Sequence, residues 1–181
     1  MGTTGYVALL RGINVGGRNK IAMSDLRSTF EADGYESVRT YIQSGNVLFE
    51  SSAPPDALEG DLEAMLERRF GFALVVVVRS HLQLRKVVEE APDGFGAEPD
   101  VYHSDVIFLK GPLSSQQAMP VVQLREGVDQ AWPGRDVLYF ARLSERRAQS
   151  RMSRIVGTPE YAQMTIRNWA TTTKVLRLLD G

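Results

Sequence analysis

Tyr6-Val7-Ala8-Leu9-Leu10-Arg11-Gly12-Ile13-Asn14-Val15-Gly16-Gly17-Arg18-Asn19-Lys20 decides how the chain is read: five apolar residues in a row run into a loop of glycines, amides and cations. A short apolar run that stops at a glycine loop reads as a strand covered on both faces. In the loop, three glycines relax the usual φ restriction, and Arg11, Arg18 and Lys20 stand with no acid between them. Backbone N–H groups converging beside positive charge are the chemistry of an anion cradle.

Downstream, Met23, Leu26 and Phe30 recur at helical spacing and Gly34 offers a left-handed stop, so a first helix is expected there. Val38, Thr40 and Ile42 alternate with polar residues, and after Ser44-Gly45-Asn46 the run Val47-Leu48-Phe49 resumes, which predicts a hairpin. Pro54-Pro55 can open a helix, whose apolar face carries Leu58, Leu62, Met65, Leu66 and Phe70 before Gly71. Glu59, Glu63 and Glu67 follow the same spacing and are expected on its wet side. Leu74 to Val78 is a second unbroken aliphatic run.

This order, β, α, β, β, α, β, is the ferredoxin-like unit, an antiparallel sheet with both helices on one face. The helix-free face of such a sheet is normally wet and its strands alternate. Neither apolar run alternates, and each Val or Leu buried contributes roughly 1.5 to 3 kcal/mol, so a second domain or subunit is expected to cover part of that face.

After a helix from residue 80 comes a stretch, residues 89–105, with six acids and no lysine or arginine, read as a linker. Beyond it the strand and helix order repeats. Strands are expected at 106–109, around 127–131, at 136–143 and at 163–167, with a turn at Trp132-Pro133-Gly134. Helices are expected at 114–124, at 144–156 and at 169–179. The fold class is therefore α+β, two ferredoxin-like βαββαβ subdomains with antiparallel sheets, divided as residues 1–80 and 81–181.

The chain has 181 residues, 21 lysines and arginines against 22 acids, and no cysteine. A globally basic nucleic-acid coat, disulfides, thiolate metal ligands and a cysteine nucleophile are excluded together. His81 and His103 lack carboxylates at ligand spacing, so no metal and no cofactor is expected. The amino-terminal residues do not read as a signal peptide, and no apolar run approaches the roughly 20 residues of a membrane span, which points to a cytoplasmic protein with no membrane partner.

Three motifs carry a resemblance: Leu10-Arg11-Gly12-Ile13-Asn14-Val15-Gly16-Gly17 with Asn19-Lys20, then Tyr41-Ile42-Gln43-Ser44-Gly45-Asn46-Val47, then Arg167-Asn168-Trp169. With these the chain resembles the uncharacterised family called domain of unknown function 1697, over nearly its whole length. The resemblance implies two ferredoxin-like subdomains and no established activity. It departs from the family pattern at Ser150-Arg151-Met152-Ser153-Arg154, where arginines stand at positions in which lysine is common.

Gly12 to Gly17 matches the glycine spacing of a P-loop, but Arg18 and Asn19 replace its Lys and Ser/Thr, which removes the triphosphate and magnesium chemistry. The dinucleotide fingerprint and the GxSxG elbow fail on glycine placement. What remains is a candidate site for a small phosphate- or carboxylate-bearing ligand. Arg11 and Lys20 would supply charge, Gly16 and Gly17 backbone donors, Asn14 and Asn19 orienting hydrogen bonds, with Ser44, Asn46 and Arg167 as further contacts. Each has a plainer reading: asparagines closing their own turns, Ser44 and Asn46 as hairpin residues, Arg167 on a solvated rim. The first loop and the Ser44 hairpin are expected at one end of the sheet, about 10 Å apart. A nucleic-acid-binding protein using the ferredoxin-like scaffold is the second reading, and a metal-independent enzyme of unknown reaction the third.

Overall fold

Strand β1 (Thr4–Leu10) is buried from Tyr6 onward, which places it in the middle of a sheet, as its unbroken apolar run requires. In the computed structural model, which describes residues 2–181, it is followed by α1 (Met23–Ala32), β2 (Glu36–Tyr41), β3 (Asn46–Ser51), α2 (Pro55–Phe70) and β4 (Val76–Ser80). The four strands lie in the order β2-β3-β1-β4, every neighbouring pair antiparallel. The second half carries α3 (His81–Glu89), β5 (Tyr102–Leu109), α4 (Ser115–Ala118), β6 (Asp129–Pro133), β7 (Val137–Leu143), β8 (Met164–Asn168) and α5 (Trp169–Asp180). Its sheet order, β6-β7-β5-β8, repeats the first with the same pairing. Two ferredoxin-like antiparallel sheets are thus present. No helix among the described residues is long and apolar enough to cross a membrane.

The chain separates into two compact units, one built from the residues up to Arg85 with Val175–Gly181, the other from Lys86–Lys174. In the first, Tyr6, Ala8, Leu10, Val47 and Phe49 pack with Leu26 and Phe30 of α1 and Leu58, Leu62 and Leu66 of α2. Phe49 is ringed by Tyr6, Phe30 and Tyr35 at centroid distances of 5.7, 5.5 and 5.0 Å. On the opposite face, Val7, Leu9, Leu48 and Val77 are also buried. Within this unit that face receives the end of α5: Arg39 Nη2 donates to the Leu178 carbonyl at 2.7 Å, and a Cβ built on Gly5 would lie 3.6 Å from Leu179. The cover inferred from the non-alternating strands comes in part from the chain's own last turns.

Edge strand β4 is closed off by α2. Glu63 Oε1 accepts the Val76 N–H and Glu59 Oε1 the Val78 N–H, both at 2.9 Å. Carboxylates four residues apart on a helix are separated by about 6 Å, and strand amides two residues apart by about 6.6 Å, so the two ladders match. Glu59 is buried, with Arg79 at 3.8 Å, and the expectation of a wet face for it is corrected. Its helical spacing serves the strand edge instead.

In the second unit, Ile107, Leu109, Leu138 and Phe140 pack with Leu113, Ala118, Met152 and Ile155. The helix expected over 114–124 is one turn, opened by a Ser114–Gln117 capping box and running into a 3-10 turn at Met119–Val121 that contains Pro120. The helix expected over 144–156 is replaced by 3-10 segments Ser144–Gln149, Met152–Gly157 and Pro159–Gln163. Asp129 Oδ2 takes the N–H of both Arg125 and Arg151 at 2.9 Å, and a side chain that captures a backbone donor competes with helix propagation. Trp132 and Pro133 belong to β6, and the turn lies one step later, with Gly134 N–H bonded to the Val137 carbonyl at 2.9 Å. The acidic stretch read as a linker packs into this unit through Phe95, whose ring meets Trp132, Tyr139 and Trp169 edge-on.

Candidate functional site

The loop after β1 closes on itself. Val15 and Arg18 form an isolated antiparallel bridge around Gly16 and Gly17, whose φ of 58° and 77° give the two left-handed central positions of a type I′ turn. Asn14 N–H donates to the Asn19 carbonyl at 3.1 Å, and Asn19 Nδ2 donates to the Gly12 carbonyl at 3.1 Å. At the root, Asn14 Nδ2 donates to the Ile21 carbonyl and Asn14 Oδ1 accepts the Ile21 N–H, both at 2.9 Å. Asn14 and Asn19 hold φ of 55° and 48°, a region asparagine tolerates better than most residues.

The same Asn14 amide reaches a second segment, donating to the Gln43 carbonyl at 2.9 Å. Leu10 N–H donates to the Gly45 carbonyl at 2.9 Å, and buried Ile13 lies where a Gly45 Cβ would stand, 2.7 Å from Ile13 Cδ1. The loop and the turn therefore touch, and the expected separation of about 10 Å is corrected. The reason is topological: the turn is shared by β2 and β3, and β3 is the immediate neighbour of β1, with Leu9 paired to Asn46.

Arg11, Asn14, Gly16, Gly17, Asn19, Lys20, Ser44 and Asn46 thus gather at one end of the first sheet, but they divide by duty. Asn14 is a staple. Asn46 is fully buried, its Nδ2 donating to the Tyr41 carbonyl at 2.9 Å and the Ser44 Oγ at 3.2 Å, so it closes the turn. Arg18 and Lys20 are exposed and have no ion-pair partner among the described residues. Gly16 and Gly17 are exposed at the tip, beside Val15, which is 65% exposed. Arg11 is half-buried, and its N–H donates to the Val75 carbonyl at 2.9 Å.

Arg167 belongs to the second unit. It is buried in β8 opposite Val106 rather than on a solvated rim, with Nη1 donating to the Ile166 carbonyl at 2.8 Å and to Thr165 Oγ1 at 3.1 Å. Burial pulls its pKa down to about 10. Asn168, next to it, caps α5 by accepting the Thr171 N–H at 2.7 Å.

Gln43, Ile21 and Ile13, which hold the loop in place, went unread in the sequence. Only Ile13, a lone aliphatic residue among loop residues, carried a signal.

Residues 3–139 match the family described as "Protein of unknown function (DUF1697)". The chain belongs to the DUF1697 family. Among solved structures it is similar to the conserved bacterial protein SP0830 from Streptococcus pneumoniae, at 28% identity and a TM-score of 0.86, covering 98% of this chain and 99% of that one. No curated protein matches the chain. The DUF1697 match takes in the whole of the basic loop and the turn that Asn14 joins to it.

Proposed function

We propose that this DUF1697 protein binds a small phosphate- or carboxylate-bearing ligand at the tip of the loop at residues 11–20. The observation that carries the reading is the Asn14 staple: one side chain ties the cationic loop to Ile21 and to Gln43 by three hydrogen bonds. A preorganised site does not expend binding energy on ordering itself. Arg18 and Lys20 supply the charge and the exposed Gly16–Gly17 turn the backbone donors, while Asn14, Asn19 and Asn46 position the frame rather than the ligand.

Nucleic acid ranks second. RRM modules stack bases on the helix-free face of the sheet, and here Val7, Leu9, Leu48 and Val77 on that face are buried. That burial argues against the stacking mode and favours the small anion.

Isothermal titration of the full chain with pyrophosphate, nucleoside monophosphates and dicarboxylates tests the reading. Saturable binding that an Arg18→Ala/Lys20→Ala variant loses supports it. Failure of every anion to bind, or affinity unchanged in that variant, overturns it.

A further inference from the structure

The second unit carries a cleft that the loop at the other end of the sequence does not explain. Its floor is the face of the sheet opposite Ile107, Leu138 and Phe140: Ser104 pairs with Ala141 and Ala141 with Gln130, three cross-strand neighbours pointing to one side. Small side chains at Ser104 and Ala141 leave a depression of about 210 Å³, walled by Phe95 and Trp132. That is below the roughly 300–1,000 Å³ of pockets that hold drug-sized ligands, so the occupant is compact.

Two independent features say what would fill it. The first is a hydroxyl without an occupation: Ser104 is 7% exposed, it lines the cleft, and its Oγ has no hydrogen-bond partner among the described residues. Buried polar groups in native proteins are almost always paired, so an acceptor or donor is expected to arrive from outside.

The second is charge against aromatic surface. Asp93 and Glu98 line the mouth, exposed and without an ion-pair partner among the described residues. Phe95 and Trp132 stand edge to face at 6.1 Å, giving ring surfaces to a cation. Of the other acids in this stretch, Glu90 is paired with Arg135 at 3.8 Å and Asp105 with Arg142 at 3.3 Å. Arg167 shares this face of the sheet, but its Nη1 bonds toward Thr165, opposite Phe108, the direction away from Ser104.

The cleft is also built to keep its shape. Phe95 N–H bonds the Pro92 carbonyl at 2.9 Å, Ala97 N–H that of Gly94 at 3.1 Å, and Tyr102 N–H that of Glu98 at 2.9 Å. Gly96, lacking a side chain, lets the Trp169 indole close against the loop from behind.

We propose that this cleft binds a small organic cation, a primary ammonium or guanidinium group on a short alkyl stem. The charged head enters first, over the Phe95 and Trp132 rings, and donates one N–H to Ser104 Oγ, while Asp93 and Glu98 at the mouth attract it and the stem leads back out between them. The same chemistry is offered by a free alkylamine or by a lysine or arginine side chain of another polypeptide.

The test uses the full chain, labelled with nitrogen-15, titrated with n-butylammonium and n-butylguanidinium. 1-Butanol and glucose serve as neutral controls, and the blocked tripeptides acetyl-Gly-Lys-Gly-amide and acetyl-Gly-Arg-Gly-amide as a second arm. Amide shifts confined to residues 93–104 and 130–132 are expected with the cations and not with the controls. Tighter binding of the tripeptides identifies a polypeptide side chain as the source, and tighter binding of the free amines a metabolite. Asp93→Asn/Glu98→Gln, on the exposed rim where folding is safe, should weaken the cations by about tenfold. Ala141→Leu, which fills the depression, should abolish binding. Absence of shifts in these residues, equal binding of 1-butanol or glucose, or unchanged affinity in the rim variant overturns the proposal.

Discussion

Asn14 and Ile21 are joined in both directions, the asparagine Nδ2 donating to the isoleucine carbonyl and its Oδ1 accepting the isoleucine N–H, each at 2.9 Å. A side-chain amide here imitates a strand partner, and the third bond, to Gln43, ties the closed loop to the neighbouring turn. Asn14→Ala removes all three and leaves the Ile21 N–H and two carbonyls to find water. A loss of about 1–3 kcal/mol is expected in urea unfolding, with the slope unchanged, together with faster hydrogen exchange at Ile21. Asn14→Asp keeps the acceptor alone and should still fail to hold Gln43.

Gly45 is the other half of that junction. Its φ is 85°, and a Cβ there would meet Ile13 Cδ1 at 2.7 Å and Leu10 Cβ at 3.0 Å. Gly45→Ala combines left-handed strain of about 1–2 kcal/mol with overpacking of about 1–3 kcal/mol. Thermal unfolding should show a marked fall in Tm, and Gly45→Ala/Ile13→Ala, which makes room, should recover part of it.

Glu59 guards the edge of β4. Glu59→Ala orphans the Val78 N–H and strips the buried Arg79 of the carboxylate 3.8 Å away. A cost of about 1.5–3 kcal/mol is expected, the range for a hydrogen bond to a charged group. The bared edge should also raise light scattering on heating, because an unpaired strand edge templates association.

Tyr139 supplies the pH dependence. It is buried, its hydroxyl donates to the Val87 carbonyl at 2.6 Å, and burial, with Glu90 adding to it, pushes its pKa up to about 12. The folded state therefore holds this proton more tightly than the unfolded chain, whose phenol titrates near 10. Stability is fully present below pH 10 and is lost as pH rises toward 12. Tyr139→Phe should cost about 1 kcal/mol at neutral pH and flatten the alkaline loss in urea titrations. Arg167, with its pKa lowered to about 10, contributes an opposite slope over the same range and cancels in the wild-type-minus-variant difference.

Much of the architecture was readable because burial writes itself into apolar runs. The unbroken Tyr6–Leu10 and Leu74–Val78 runs predicted strands covered on both faces; Val7, Leu9, Val76, Val77 and Val78 are buried, and the second strand starts two residues into its run, at Val76. What stayed hidden depends on partners remote in sequence. Glu59 and Glu63 keep a helical spacing that looks the same whether it faces water or a strand edge, and nothing local to residues 144–163 announces that Asp129 will capture the Arg151 N–H. Asn14 illustrates the limit at the candidate site itself, since an asparagine in a glycine loop reads equally well as a ligand contact or a staple, and only its bonds to Ile21 and Gln43 separate the two.

The most direct measurement is the nitrogen-15 amide spectrum of the full chain titrated with pyrophosphate, followed at Gly16 and Gly17. Saturable downfield shifts of these two amides are expected, lost in Arg18→Ala/Lys20→Ala and reduced in Asn14→Ala. Unmoved Gly16 and Gly17 amides, or shifts that survive removal of both cations, would contradict anion binding at this loop.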